Sequence, residues 1–278
     1  MADFTGNLYS KVLGMNTAVR IITPKRRNHN GPFRAVYLLH GLSDNSTDWV
    51  LNTRCSLLAQ DYDVMLIIPE VQKSFYIDMA EGAPYFTYIT QELPQLVETL
   101  FRVSPKREDR YVMGISMGGY GALRCALTYP ERYAGCAAFS PACDIRLVME
   151  ACQMETPMMP IGEVMGIVGK EVLEQFQERP ELLAPYDLFE LARRQDENPE
   201  KPRLFVTCGT EDFIHQMSLN LAKAMEPLHY DFTYLEWPGI HEWYFWDESV
   251  HLAFEHFFGP GSAFNPYSLE GRKRGMQR

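Results

Sequence analysis

The stretch Arg110-Tyr111-Val112-Met113-Gly114-Ile115-Ser116-Met117-Gly118-Gly119-Tyr120-Gly121-Ala122 decides how this chain is read. An apolar strand runs into the pentapeptide Gly114-Ile115-Ser116-Met117-Gly118, and a helix of small residues follows from Tyr120. G-x-S-x-G alone is common. Strand, tight turn and helix around it are what a nucleophile elbow requires. Such a turn strains the serine backbone and leaves room only for glycine on either side. The hydroxyl is then held out at the sheet edge, at a helix N-terminus where the dipole favours a developing anion. The alternative is a glycine-rich turn with an idle serine, and the rest of the chain must decide between the two.

A nucleophilic serine needs a base, an acid to orient the base, and amide donors for the oxyanion. After an elbow of this kind the acid and then the histidine follow in chain order, each in a loop beyond a strand. Asp212 lies just past the apolar run Arg203 to Cys208, in Cys208-Gly209-Thr210-Glu211-Asp212. His241 lies just past the run ending at Glu236, in Trp237-Pro238-Gly239-Ile240-His241-Glu242-Trp243. Glu211 competes with Asp212, and His215 competes with His241. His215 shares a loop with the acid, and one loop does not easily supply both partners. Asp187 and Asp231 read as surface carboxylates. His29, His229, His251 and His256 read as solvated or capping groups.

Upstream, Ala35-Val36-Tyr37-Leu38-Leu39 ends at His40-Gly41-Leu42-Ser43-Asp44. In this position the loop supplies one oxyanion N–H and the residue after the nucleophile supplies the other, which nominates the amides of Leu42 and Met117. His40, Asp44, Trp243 and Trp246 are candidate substrate contacts. For His40 bracing the loop is the competing role, and for Asp44 and Asn45 it is capping a helix.

Working outward, β-like runs lie at Asn7–Val12, Thr17–Ile22, Ala35–Leu39, Val64–Ile68, Tyr111–Met113, Tyr133–Phe139, Arg203–Cys208 and Asp231–Glu236. Leu13 to Asn16 reads as a hairpin turn between the first two. Helical patterns fit Thr47–Leu58, with Asn45 or Ser46 as cap, then Tyr88–Phe101, Tyr120–Thr128, Met217–Met225 and Glu248–Phe258. Strands alternating with helices predict an α/β fold with a mostly parallel, twisted sheet flanked by helices. No repeat or low-complexity linker divides residues 1–278, so one domain is expected. Residues 144–202 break the alternation. They hold a run of methionines and a helix-like piece from Lys170 to Glu178, and read either as a small cap-like insertion or as ordinary packing helices. Residues 260–278 read as a C-terminal tail.

The chain has 278 residues, 46% of them apolar, and a formal charge of −10. That is ample for a core and offers no electrostatic footprint for nucleic acid. No apolar run approaches about 20 residues, so no membrane span is expected. No basic and apolar leader opens the chain. The six cysteines form no CxxC pair and read as reduced, mostly buried thiols, which together point to the cytoplasm. Cys136 and Cys143 lie near each other without a His or Asp to complete a ligand set, so no metal or other cofactor is expected. Apolar helices near the ends would permit a homo-oligomer.

With these residues assembled, the chain resembles the esterase D and tributyrin esterase branch of the α/β hydrolases, which includes S-formylglutathione hydrolases and carbohydrate esterases. The resemblance rests on Leu38-Leu39-His40-Gly41-Leu42, the elbow from Gly114 to Ala122, Gly209-Thr210-Glu211-Asp212, and Pro238-Gly239-Ile240-His241-Glu242-Trp243 through Asp247. It implies the α/β-hydrolase fold, with residues 144–202 over the site as a cap. It also implies a two-step acyl transfer on a small ester, with Ser116 attacking while His241 takes its proton. Two departures matter. The loop after His40-Gly41 reads Ser43-Asp44-Asn45-Ser46, without the cysteine usual in S-formylglutathione hydrolases, and the gap from Ser116 to Asp212 is long. Short acyl groups, acetyl to butyryl, on soluble esters are expected, with acylated carbohydrates among the candidate substrates. A thioesterase, an acyltransferase and a catalytically silent binding protein stand as alternatives.

Overall fold

The computed structural model describes residues 1–25, 31–78, 82–148 and 183–260. Among them one sheet of eight strands runs in the order β1-β2-β4-β3-β5-β6-β7-β8. The strands are β1 (Ala2–Ser10), β2 (Met15–Thr23), β3 (Arg34–Leu39), β4 (Val64–Pro69), β5 (Arg110–Ile115), β6 (Gly135–Phe139), β7 (Arg203–Gly209) and β8 (Phe232–Trp237). The hairpin β1–β2 joins antiparallel to β4, and the six strands from β4 to β8 are parallel.

Residues in β3, β4, β5 and β6 are buried almost throughout, because helices cover both faces. Alternation along β3 sorts the layers. Tyr37 and Leu39 pack into one core with Tyr120, Leu123 and Leu127, whereas Val36 and Leu38 pack into the other with Trp49, Leu58, Val250 and Phe254. The first face carries α3 (Leu93–Leu100), α4 (Met117–Thr128), α5 (Leu188–Arg194) and α6 (His215–Met225). The second carries α1 (Asp48–Asn52), α2 (Cys55–Tyr62) and α7 (Trp243–Phe258).

From β3 the chain steps one way to β4 and then returns past it to β5. The loops leaving β3 and β5 therefore diverge, and a crevice opens at the carboxyl ends of these strands.

Three helical expectations are revised. The run 47–58 is two helices, because Thr53 turns extended and Arg54 leaves the axis to pair with Asp247 of α7. The cap expected at Asn45 or Ser46 is absent. Thr47 precedes α1 without a side-chain cap, while Asn45 Oδ1 accepts from Thr47 N–H two residues on, at 2.8 Å. The helix expected from Tyr88 begins at Tyr85 and passes through a π turn (Tyr88–Glu92) before α3. Helix α5 was not expected; it starts where the Asp187 carboxylate accepts from the N–H groups of Phe189 and Glu190. Most of the stretch 144–202, and the tail after residue 260, lie outside the described residues.

Candidate active site

Ser116 sits between β5 and α4 at φ 52°, ψ −117°. A residue other than glycine held at positive φ is strained, and surrounding packing must impose it. The glycines beside it show how. A Cβ on Gly114 would lie 2.1 Å from the Gly118 carbonyl oxygen, and one on Gly118 would lie 2.3 Å from that of Leu39. Strand, turn and neighbouring strand thus touch backbone to backbone.

His241 approaches from the β8–α7 loop. Its Nδ1 donates to Asp212 Oδ2 at 2.9 Å, and its Nε2 lies 3.0 Å from Ser116 Oγ. With the proton on Nδ1, the Nε2 lone pair is free to accept from the serine hydroxyl. The Asp212 side chain is fully buried. Burial would push its carboxyl up. The hydrogen bond and charge of His241, with the Ile214 N–H and the Ser140 hydroxyl, outweigh this and hold it below the usual carboxylate range. Between ring centroids the imidazole lies 4.6 Å from Phe213, tilted to it, and 4.9 Å from Trp246, perpendicular to it. Its plane is therefore set by packing as well as by hydrogen bonds.

The loop after β3 closes the other side. Asp44 Oδ2 accepts from Gly41 N–H at 3.0 Å, and burial pushes the Asp44 carboxyl up. The N–H groups of Leu42 and Met117 make no hydrogen bond to protein among the described residues, and both residues line the same cleft as Ser116. That cleft holds about 450 Å³, and Phe75, Phe213, Met217, Trp243 and Trp246 are among its apolar walls. Such a site can polarise a carbonyl while a hydroxyl attacks it.

The esterase family model matches residues 10–256. The chain belongs to the esterase family. The esterase is 28% identical over 273 residues to an acetyl esterase of Caldicellulosiruptor saccharolyticus, covering 92% of this chain and 97% of the relative. It superposes on the fluorophosphonate-binding serine hydrolase FphF of Staphylococcus aureus with TM-score 0.80 and 26% identity, covering 93% and 99% of the two chains. An S-formylglutathione hydrolase of Staphylococcus aureus gives TM-score 0.78 and 25% identity, covering 92% and 98%. The fold is that of the α/β hydrolases, and the esterase is a serine hydrolase acting on ester bonds.

The structure brings Ser116, His241 and Asp212 into one hydrogen-bonded chain and sets Leu42, Met117, Asp44, Trp243 and Trp246 around it. His40 does not join them. It is fully buried, with Nδ1 donating to Gly41 O at 2.7 Å and Nε2 accepting from Val71 N–H at 3.1 Å. Its ring braces the loop from behind. The rival residues are committed elsewhere. His215 pairs with Glu236 at 2.8 Å, and Glu211 accepts from Gly239 N–H at 2.6 Å. Glu211 N–H also donates to the Gly239 carbonyl at 3.0 Å, so the rejected acid ties the Asp212 loop to the His241 loop.

Phe213 and Phe75 are among the cleft residues that escaped the sequence reading. Phe213 directly follows Asp212, an adjacency that could have flagged it. Phe75 stands in a turn where Gln72, Phe75 and Tyr76 all have positive φ, and nothing in the residue types announces that. Ser140 is another omission. It is buried at φ 42° where β6 ends, and its Oγ accepts from the Trp246 indole N–H at 3.2 Å while the hydroxyl supports Asp212. The aromatics Tyr85, Phe86 and Tyr88 are core and line no part of this cleft.

Proposed function

We propose that this esterase hydrolyses short-chain acyl esters, acetyl to butyryl, of small soluble substrates through an acyl-serine intermediate. Ser116 Oγ attacks the carbonyl carbon as His241 Nε2 takes the hydroxyl proton, and the Asp212 carboxylate balances the imidazolium that forms. The N–H groups of Leu42 and Met117 hold the oxyanion. The carbonyl–oxygen bond to the alcohol breaks, and the alcohol leaves with the proton from His241. Water then attacks acyl-Ser116 by the reverse proton path and releases the acid.

The observation that carries this reading is the continuous chain from buried Asp212 through His241 to Ser116, ending in a half-open apolar cleft. The rigid rings at its walls favour a compact ester over a fatty chain. Acylated carbohydrate fragments are the substrates that stacking on Trp243 and Trp246 would suit. The cell interior is the proposed compartment, since the five described cysteines are free and buried. Specificity constants for 4-nitrophenyl acetate, butyrate, octanoate and palmitate, with an acetylated xylo-oligosaccharide alongside, test the reading. A maximum at acetate or butyrate is expected, and a maximum at octanoate or beyond refutes it.

A further inference from the structure

Glu242 adjoins His241 and lines the same cleft, and no part of the acyl-transfer chemistry uses it. It is the residue before α7, with extended backbone at φ −150° and ψ 163°, and its side chain does not cap the helix. Its carboxylate makes no hydrogen bond or ion pair among the described residues, although it is partly buried. The other cleft carboxylate, Asp44, is already engaged by the Gly41 N–H. No lysine or arginine lines the cleft among the described residues. Phe213, which lines the cleft with Glu242, is 56% exposed, so an apolar face borders the opening.

A carboxylate without a partner, in a wall that holds no lysine or arginine among the described residues, sets the sign of the potential that an entering alcohol group meets. Low-dielectric walls focus that potential, and aromatic faces add attraction for cations but none for anions.

We propose that Glu242 is a specificity-determining residue that makes this esterase select esters of neutral and cationic alcohols and reject those with anionic leaving groups. A glutathione thioester, a net anion, belongs to the rejected class, as does any acylated sugar phosphate or uronate. The proposal rests on Ser116 acting from this cleft.

The test uses one acyl group and one ring. Phenyl acetates with a para carboxylate, methoxycarbonyl or trimethylammonium group are compared by kcat/KM, each divided by its hydroxide-catalysed rate to remove leaving-group differences. The expected order is trimethylammonium, methoxycarbonyl, carboxylate, with about three- to tenfold between steps at low salt. Added salt should compress the series. In Glu242→Gln the trimethylammonium-to-neutral ratio should fall and the carboxylate-to-neutral ratio rise, each by about threefold or more. Glu242→Asp should keep the wild-type order. Residue 242 in a merely structural role would change all three substrates alike.

Equal ratios in wild type and Glu242→Gln overturn the proposal, as does a wild-type enzyme indifferent to substrate charge at low salt. Should the glutamine variant fail to fold, Glu242→Ala read by the same ratios decides, with the same change expected and equal ratios overturning the proposal. Hydrolysis of the neutral ester that survives Ser116→Ala would instead overturn the underlying reading, so the two failures are distinguishable.

Discussion

Ser116 and His241 face each other at 3.0 Å, yet the two sides of that contact are held by different means. The serine side is backbone pressed on backbone. Gly114 and Gly118 leave no room for even one added carbon, and the strained turn between them is clamped by the end of β3. On the histidine side the two loops also meet at backbone, where a Cβ on Gly209 would lie 2.2 Å from the Gly239 carbonyl oxygen, but the ring itself is held by side chains: Asp212 behind it, Phe213 and Trp246 packed against it, and Glu211 tying the loops through Gly239. Atoms fixed by backbone contact cannot be retuned singly, whereas a side-chain scaffold can be altered one group at a time. Ser116 Oγ is therefore on the wall fixed by backbone, and Glu242 and Trp243 are on the one that side chains can adjust.

The most severe break in the comparison is chemical. Ser116→Ala should lower kcat by about 10⁴- to 10⁶-fold while the thermal transition is retained, as expected when a triad nucleophile is removed. Loss of labelling by a fluorophosphonate, mapped by peptide mass spectrometry, checks that no other serine reacts. Next in size is Asp212→Asn, for which a fall near 10⁴-fold in kcat is expected, since the amide leaves the imidazole in the wrong tautomer. The same variant has a signature in stability. Asp212 has a folded-state pKa held below its unfolded value of about 3.9, so its contribution is present above that pH and lost as the pH falls through the folded value. Thermal melts between about pH 2 and pH 4 should show a shallower slope for the asparagine variant than for wild type.

Backbone contact predicts the third effect. Gly118→Ala puts a Cβ 2.3 Å from the Leu39 carbonyl oxygen, which cannot move without shifting β3. A loss of about 3 kcal/mol in denaturant unfolding is expected, with activity falling in step. The histidine side should yield more gently. Ser140→Ala removes an acceptor for Trp246 and a donor for Asp212, and should cost about 1 kcal/mol of stability and about tenfold in kcat. Its acid-side loss of stability should begin at higher pH, because Asp212 loses one of the groups holding its carboxyl down. A glycine variant at 118 that folds and works normally, beside a crippled Ser140→Ala, would invert the comparison.

Most of the fold was legible. Residues of β3 to β6 are continuous apolar runs, and the two-sided burial that parallel strands need writes itself directly into composition. Helix limits were less legible where a distant partner intervenes: the break at Thr53 and Arg54 depends on Asp247, 193 positions later. The turn holding Phe75 was illegible for a similar reason, since its three positive-φ residues are imposed by packing rather than by glycine or asparagine. In the site, the elbow announced itself through glycines whose only use is close approach. Asp212 and Glu211, by contrast, are told apart only by the direction each takes from one turn, which residue types do not encode.

By itself the sequence determined the strand–turn–helix around Ser116 and the chain order of the groups that meet it. Those follow from local sterics, namely glycine where no Cβ fits and apolar residues where two faces are covered. The tertiary structure decided what each polar group is committed to. His40 went behind its loop, His215 to Glu236, and Glu211 to Gly239, while His241 turned to Ser116 and Glu242 kept its carboxylate free among the described residues. A hydrogen bond depends on direction over about 3 Å, and only the packed chain supplies that direction.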